Sequence, residues 1–526
     1  MPIVPTVLTV LALFTPAERI FAELVVLLLT TNPFLPARVD LERAILGAAY
    51  VEAGRVWNFR ANVTAAHENV RRIGLRVRDL LDRLHQRFDA GVVVSDADRA
   101  LYADFALYFL YDSYDVRFQP LILGRTTHVD FYDAFLRDHT AIVGRLGRGA
   151  PFPAAAHLFA CFYQLRRAFH FIYTNLLGGS LPAARLRAAT WRAIVSRDLR
   201  VYVETFYRTQ DAISLLITGP TGSGKELVAE TVGCSRYLPF DTKSHSFPCA
   251  HDAHYHAFNL SEAAASVFES ELFGHRRGAY TGAVDDSPGL FALTRPGGTL
   301  FLDEVGELHR DIQTKLLRVV QTRKFRPVGG VEFQVLAGKL VTATHRDLQA
   351  RIQSGDFRED LYYRICGDRV VTPSLRAQLD DAPEERRHLV SIIATRLLGP
   401  TRGEALADEL DEKLPAGYPW PGNMRELEHR VGLLLMQGGE HPEEGEGGDP
   451  QGHQDHGEAD EEDFGRAFVE GNMEAEEAAR RYATIVFADA RSYAETARRL
   501  GVDRRTVAAM IDHPLLERLK RRSMSR

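Results

Sequence analysis

The segment Gly219–Lys225, GPTGSGK, lies between an apolar run, Ile213–Ile217, and ELVAET, which has the composition of a helix start. A strand, a glycine-rich turn and a helix leave backbone N–H groups unpaired and converging at the positive end of the helix, where phosphates bind. Gly219, Pro220, Thr221, Gly222, Ser223 and Gly224 would form that cradle, and Lys225 would reach the terminal phosphates of a nucleoside triphosphate. Glu226 stands where such loops carry Ser or Thr, so the hydroxyl that normally touches magnesium is missing. On physical grounds alone that substitution counts against hydrolysis.

A second element answers the first. GGTLFLDE is an apolar strand ending in Asp303 and Glu304, two acids delivered beside the phosphates. Asp303 would organise a magnesium ion, directly or through water, and Glu304 would polarise the attacking water. ISLLIT, TLFLDE and KLVTATH alternate with helical patterns between residues 186 and 436, the rhythm of a parallel α/β sheet.

The flanking regions differ. Residues 1–185 read as mostly helical: Val70, Ile73, Val77, Leu80, Leu81 and Leu84 recur at helical spacing. YADFALYFLYDSY and AFHFIYTNLL are aromatic-rich; they could line a ligand pocket, though plain core is the commoner reading. The apolar N-terminus lacks a basic leader region, and Leu24–Leu29 is too short to span a bilayer, so no membrane attachment is expected. The four cysteines, Cys161, Cys234, Cys249 and Cys366, have no metal or disulfide spacing, which fits a reducing cytoplasm. The net charge of −6 excludes a general polyanion binder. The charge is uneven, however. Residues 437–465 hold eleven Asp and Glu and no Lys or Arg, the composition of a solvated linker. Residues 491–526 hold ten Lys and Arg against four Asp and Glu, which points to nucleic acid.

Together these motifs resemble the AAA+ domain of bacterial enhancer-binding proteins, the sigma-54-dependent transcriptional activators. That family often carries GKE at the loop, so Glu226 becomes a family mark. ESELFGHRRGAYTGA, Glu269–Ala283, resembles its diagnostic signature. The resemblance implies that Gly278, Ala279, Tyr280, Thr281, Gly282 and Ala283 touch sigma-54, with Tyr280 and Thr281 at the tip. It places Asn259 as the amide that pairs with Glu304. It makes His345 in VTATHRDL the sensor near the γ-phosphate, and Arg358 and Arg364 in FREDLYYRI the arginine fingers reaching a neighbouring subunit's ATP. YPWPGNMRELEHRV resembles the lid motif, with Arg425 as nucleotide sensor. Arg236–Tyr255 is longer than usual and reads as a surface insertion. Fingers supplied in trans imply a ring, usually a homo-hexamer, that uses ATP and Mg2+ to remodel the sigma-54 RNA polymerase closed complex.

SYAETARRLGVDRRTVAAMI, Ser492–Ile511, has helix-turn-helix spacing. Ala497 and Leu500 would pack the first helix, Gly501 would allow the turn, and Asp503 would cap the second helix. Arg504, Arg505 and Thr506 would face the major groove. The segment resembles the Fis-like domain with which the family binds enhancer DNA. The expected fold class is therefore multidomain: a mainly helical N-terminal regulatory region (1–185), an α/β AAA+ P-loop ATPase core (186–370) with a helical lid (371–436), an acidic linker (437–470) and a small all-α helix-turn-helix domain (471–526). Two other readings stay open: a DNA-binding regulator that binds ATP without turnover, and an AAA+ remodeller with a different partner.

Overall fold

A computed structural model describes residues 12–52, 68–147, 151–248, 255–261, 265–415 and 417–437, with scattered positions between 480 and 511. The chain divides into two compact units, Met1–Glu440 and His441–Arg526.

The first unit is built round a five-stranded parallel sheet. In chain order its strands are β1 (Leu215–Thr218), β2 (Tyr255–Asn259), β3 (Thr299–Asp303), β4 (Lys339–Thr344) and β5 (Asp368–Val371). Their spatial order is β2-β3-β4-β1-β5. β3 and β4 are buried along nearly their whole length because both faces of a parallel sheet are covered. Side chains alternate between faces. Leu215, Ile217, Phe301, Val341 and Val370 join one core, and Leu216, Leu300, Leu302 and Leu340 join another.

The first of these cores continues without a break into the N-terminal helices. The helical periodicity is realised: Glu68–Asp89 is one helix that buries Ile73, Val77, Leu80, Leu81 and Leu84. The aromatic-rich stretches lie in the helices Asp96–Tyr114 and Ala155–Asn175. The boundary expected at 185 falls inside the helix Leu181–Val195. This helix is tied to the sheet, Arg192 Nη2 donating to Asp368 Oδ1 at 2.9 Å and to the Arg369 carbonyl at 3.2 Å. The stretch expected as a surface insertion packs inward over its described part. Phe240 lies 4.6 Å from Tyr132 and 4.8 Å from Phe159, and Phe247 stacks 4.0 Å from Tyr163. Aromatic rings with an apolar wall beside them gain more by burial than by facing water.

Helices Leu375–Asp381, Glu385–Leu398, Pro400–Lys413 and Asn423–Gln437 follow the sheet and enclose a core of their own round Leu389, Trp420 and Leu427. Among the described residues, no helix is long and apolar enough to cross a membrane.

In the second unit Ala497, Val507 and Ile511 are buried together, with Phe487 against them. Thr496 donates through both its backbone N–H and its hydroxyl to the Ser492 carbonyl, each at 2.9 Å, a helical turn where one is expected. Arg504, Arg505 and Thr506 lie outside the described residues, as do the acidic linker and Leu500–Asp503.

Candidate nucleotide site

The glycine loop joins β1 to the helix Lys225–Cys234, and Gly224 precedes that helix in the left-handed conformation (φ 88°). Gly222 is also left-handed (φ 71°), and a Cβ there would lie 2.2 Å from the Gly422 carbonyl oxygen. Only glycine meets both demands. A Cβ on Gly219 would strike Thr372, 2.1 Å from its hydroxyl oxygen. The loop is thus held between two segments distant in sequence. Ser223 Oγ lies 2.6 Å from Thr372 Oγ1, Asn423 Nδ2 donates to the Thr221 carbonyl at 2.9 Å, and Met424 N–H donates to the Gly222 carbonyl at 3.1 Å.

Lys225 is buried, and its Nζ donates to the Gly219 and Pro220 carbonyls at 3.3 Å each. These are long contacts that a phosphate oxygen would improve on. Arg425 borders the same loop, its Cβ 3.2 Å from the position a Cβ on Gly222 would take.

β3 ends at Asp303, and the next residue, Glu304, is left-handed (φ 56°), a conformation that non-glycine residues hold at a cost and that gathers at functional sites. Burial pushes the Asp303 carboxyl above its ordinary value; Glu304 and Glu226 add to the rise, while the Glu304 N–H and Lys225 oppose it. A carboxylate so placed favours a cation beside it. The donor set fits a magnesium nucleotide: loop N–H groups and Lys225 for phosphates, Asp303 for the metal.

Glu304 is held by the residue that follows β4. Its Oε2 accepts from His345 Nδ1 at 2.8 Å and from the His345 backbone N–H at 3.3 Å. His345 follows β4, the strand between β1 and β3, so the topology brings it to both the loop and the acids. Asn259 ends β2 opposite Asp303, with its Oδ1 accepting from Ser261 N–H at 3.0 Å and from Ser261 Oγ at 2.9 Å. The amide oxygen is taken up by a local Asx turn. The contacts described on Glu304 Oε2 come from His345.

Arg358 precedes the helix Glu359–Ile365 and forms a two-point pair with Asp360, Nε to Oδ1 at 3.0 Å and Nη2 to Oδ2 at 2.8 Å. That pairing raises the Arg358 pKa above its ordinary value. Arg364, in the last turn of the same helix, is exposed.

Away from the loop, Gly274–His275 pairs antiparallel with Ser287–Pro288 and supports a protruding turn. Gly278 N–H donates to the Ala283 carbonyl at 2.8 Å, and Ala283 N–H donates to the Tyr280 carbonyl at 3.0 Å. Asp286 braces the stem, accepting from Arg277 N–H at 2.8 Å and pairing with Arg276 at 2.5 Å. Ala283 is buried, whereas Tyr280 is 47% exposed and Thr281 projects beside it.

Thr372 and Asn423 are the participants that motif reading missed. Asn423 carries a faint signal, the GN pair before a helix in PGNMREL. Thr372 carries none.

A glycine-loop parallel α/β core with two acids at the end of the strand next but one defines a P-loop nucleotide-binding protein. Residues 195–370 match the Sigma-54 interaction domain family. The transcriptional regulatory protein GlrR of Escherichia coli K12 is 38% identical over 257 residues, 48% of this chain and 54% of that protein. The DNA-binding transcriptional regulator NtrC of Rhizobium meliloti is 40% identical over 225 residues, 43% of each. The chain thus spans about half the length of the curated relatives it matches. The crystal structure of NtrX from Brucella abortus covers 73% of this chain and 80% of its own, with 23% identity and a TM-score of 0.38.

The close approach of Gly222 to Gly422 makes a direct prediction. Gly222→Ala adds backbone strain of ~1–3 kcal/mol and a clash, so ATP affinity should fall about tenfold or more. Titration with a fluorescent ATP analogue reads this; unchanged affinity would contradict the geometry.

Proposed function

We propose that this protein is an ATP-hydrolysing activator of sigma-54-dependent transcription. The observation that carries the reading is a single one: the phosphate cradle and the exposed GAYTGA turn occur on the same sigma-54 interaction domain. ATP with its magnesium ion supplies the phosphoryl group whose transfer to water releases free energy.

The chain's own residues divide the work. Lys225 exchanges its two carbonyl contacts for phosphate oxygens, and Asp303 holds the metal. Glu304 orients water and takes its proton. His345, bonded to Glu304 Oε2, holds that carboxylate until the bound nucleotide draws the sensor away. The helices from Leu375 to Gln437 act as a lid, fastened to the loop through Asn423, with Arg425 over the nucleotide. Arg358 and Arg364 stabilise charge on a neighbour's phosphates in a homo-hexameric ring. Movement of Tyr280 and Thr281 with the nucleotide state works on sigma-54, and Arg504, Arg505 and Thr506 bring the ring to enhancer DNA in the cytoplasm. The N-terminal helices share a core with the sheet, which gives them a direct mechanical hold on the ATPase.

Trans-acting fingers predict a complementation. Arg364→Ala should lower ATP turnover by roughly 10³-fold. Mixing it with Glu304→Gln should restore part of the rate, because the second variant lends an intact arginine to the first. No recovery over a range of mixing ratios would exclude fingers in trans. A DNA-binding regulator without turnover would show no ATPase in the unaltered chain at any protein concentration.

A further inference from the structure

The N-terminal helices enclose a cavity of about 480 Å³, room for one small organic molecule. Phe169, Tyr173 and Trp191 contribute an aromatic wall, with the Phe169 and Trp191 rings 4.5 Å apart. Glu42, Tyr108, Tyr111, Asp112 and Asp115 contribute polar groups to the same cavity.

One carboxylate of that polar part stands outside the ion pairs seen among the described residues. Arg38 Nε is 2.8 Å from Glu42 Oε1, and Arg166 Nη1 is 3.7 Å from Asp115 Oδ2. Two of the three carboxylates therefore have a guanidinium partner among the described residues. Among the described residues, no basic group is in ion-pair contact with Asp112; Arg78, the other nearby cation, donates to Ser113 Oγ at 3.3 Å. Glu42 is 2% exposed, and its Oε2 has no hydrogen-bond partner. A buried acceptor left unpaired is costly, and each such atom asks for a donor. Burial pushes Asp112 up to about 7, with Asp115 adding to the rise, and burial takes Asp115 up to about 6. Of the remaining arginines on the cavity, Arg192 is committed to Asp368, while Arg185 and Arg197 are exposed.

We propose that this cavity is a binding site for an organic ammonium ion with an aromatic or apolar body. The ammonium donates to Asp112, the carboxylate without an ion-pair partner among the described residues, and the body lies against Phe169, Tyr173 and Trp191. An aromatic wall beside a carboxylate suits such a cation twice over, through apolar burial and through attraction to the ring faces. Trp191 belongs to the helix whose Arg192 bonds the sheet, so an occupant touches an element fastened to the ATPase core. Any effect on turnover rests on the function proposed above; binding itself does not.

The test is titration of the full chain by calorimetry and tryptophan fluorescence with phenethylamine and tryptamine, against phenylacetate and 2-phenylethanol. The expected result is saturable binding of an amine at one site per chain, with the acid and the alcohol at least tenfold weaker. Asp112→Asn should weaken the amine by about tenfold or more, and Ala189→Phe, which fills the cavity, should abolish binding. On the unaltered chain, amine affinity should fall about tenfold or more from pH 8 to pH 5 as the carboxylates take up protons. That profile reads the same carboxylates without any substitution. No saturable binding of either amine, equal or tighter binding of phenylacetate, or a flat pH profile would each overturn the proposal.

Discussion

Glu304→Gln should lower ATP turnover by about 10²–10⁴-fold, the range that a positioned general base contributes. ATP affinity should stay close to that of the unaltered chain. The reason is geometric. The amide has the shape of the carboxylate, and its oxygen can still accept from His345 Nδ1 and N–H, which now hold Glu304 Oε2 at 2.8 and 3.3 Å. The phosphate contacts of the loop and Lys225 do not involve residue 304. Only the capacity to take a proton from water is lost. Steady-state turnover together with nucleotide titration separates the two quantities. A variant that keeps a tenth or more of the rate would remove Glu304 from the chemistry. Parallel loss of affinity would show instead that the left-handed turn after β3 had collapsed.

The second large effect lies in the core. Lys339 opens β4, is 2% exposed, and donates through Nζ to the Gln210 and Ile213 carbonyls at 3.0 and 2.8 Å. Burial lowers its pKa to about 7, with Arg236 and Arg323 adding to the effect and Asp368 opposing it. In the unfolded chain the same amine titrates near ~10.4. Between about pH 7 and that value the unfolded chain carries a proton that the folded chain lacks, so stability rises with pH across this window. Below the window the cost of burying the charge is present in full, ~4–5 kcal/mol. Lys339→Met removes the titration while keeping most of the volume. Urea unfolding should show the unaltered chain gaining about 4 kcal/mol on the variant between pH 6 and pH 10. Parallel pH–stability curves would place the Lys339 amine in water.

The parts of the site that were legible in sequence are those that are local. The glycine loop and the Asp303–Glu304 pair each sit in one short segment, where residue type dictates backbone geometry. The turn from Gly278 to Ala283 was singled out only through the family resemblance; two glycines shape it and Asp286 braces it. The helix Glu68–Asp89 followed from its apolar spacing. What sequence did not show are contacts closed by topology. Thr372 and Asn423 reach the loop only because β5 lies beside β1 and a later helix begins at Asn423. His345 reaches Glu304 because β4 lies between β1 and β3. The N-terminal helices share a core with the ATPase sheet, and an apolar strand does not say what covers each of its faces. The aromatic stretches serve as core and cavity wall at once, since Tyr108 is buried and also lines the cavity.

The central claim is that nucleotide chemistry at the glycine loop is coupled to a grip on sigma-54 through the exposed turn. Gel filtration of the full chain with purified sigma-54, with and without ADP–aluminium fluoride, tests it most directly. The account predicts a stable complex only with the nucleotide analogue, lost in Thr281→Ala even though that variant still hydrolyses ATP. A complex indifferent to nucleotide, or none in any nucleotide state, would contradict it.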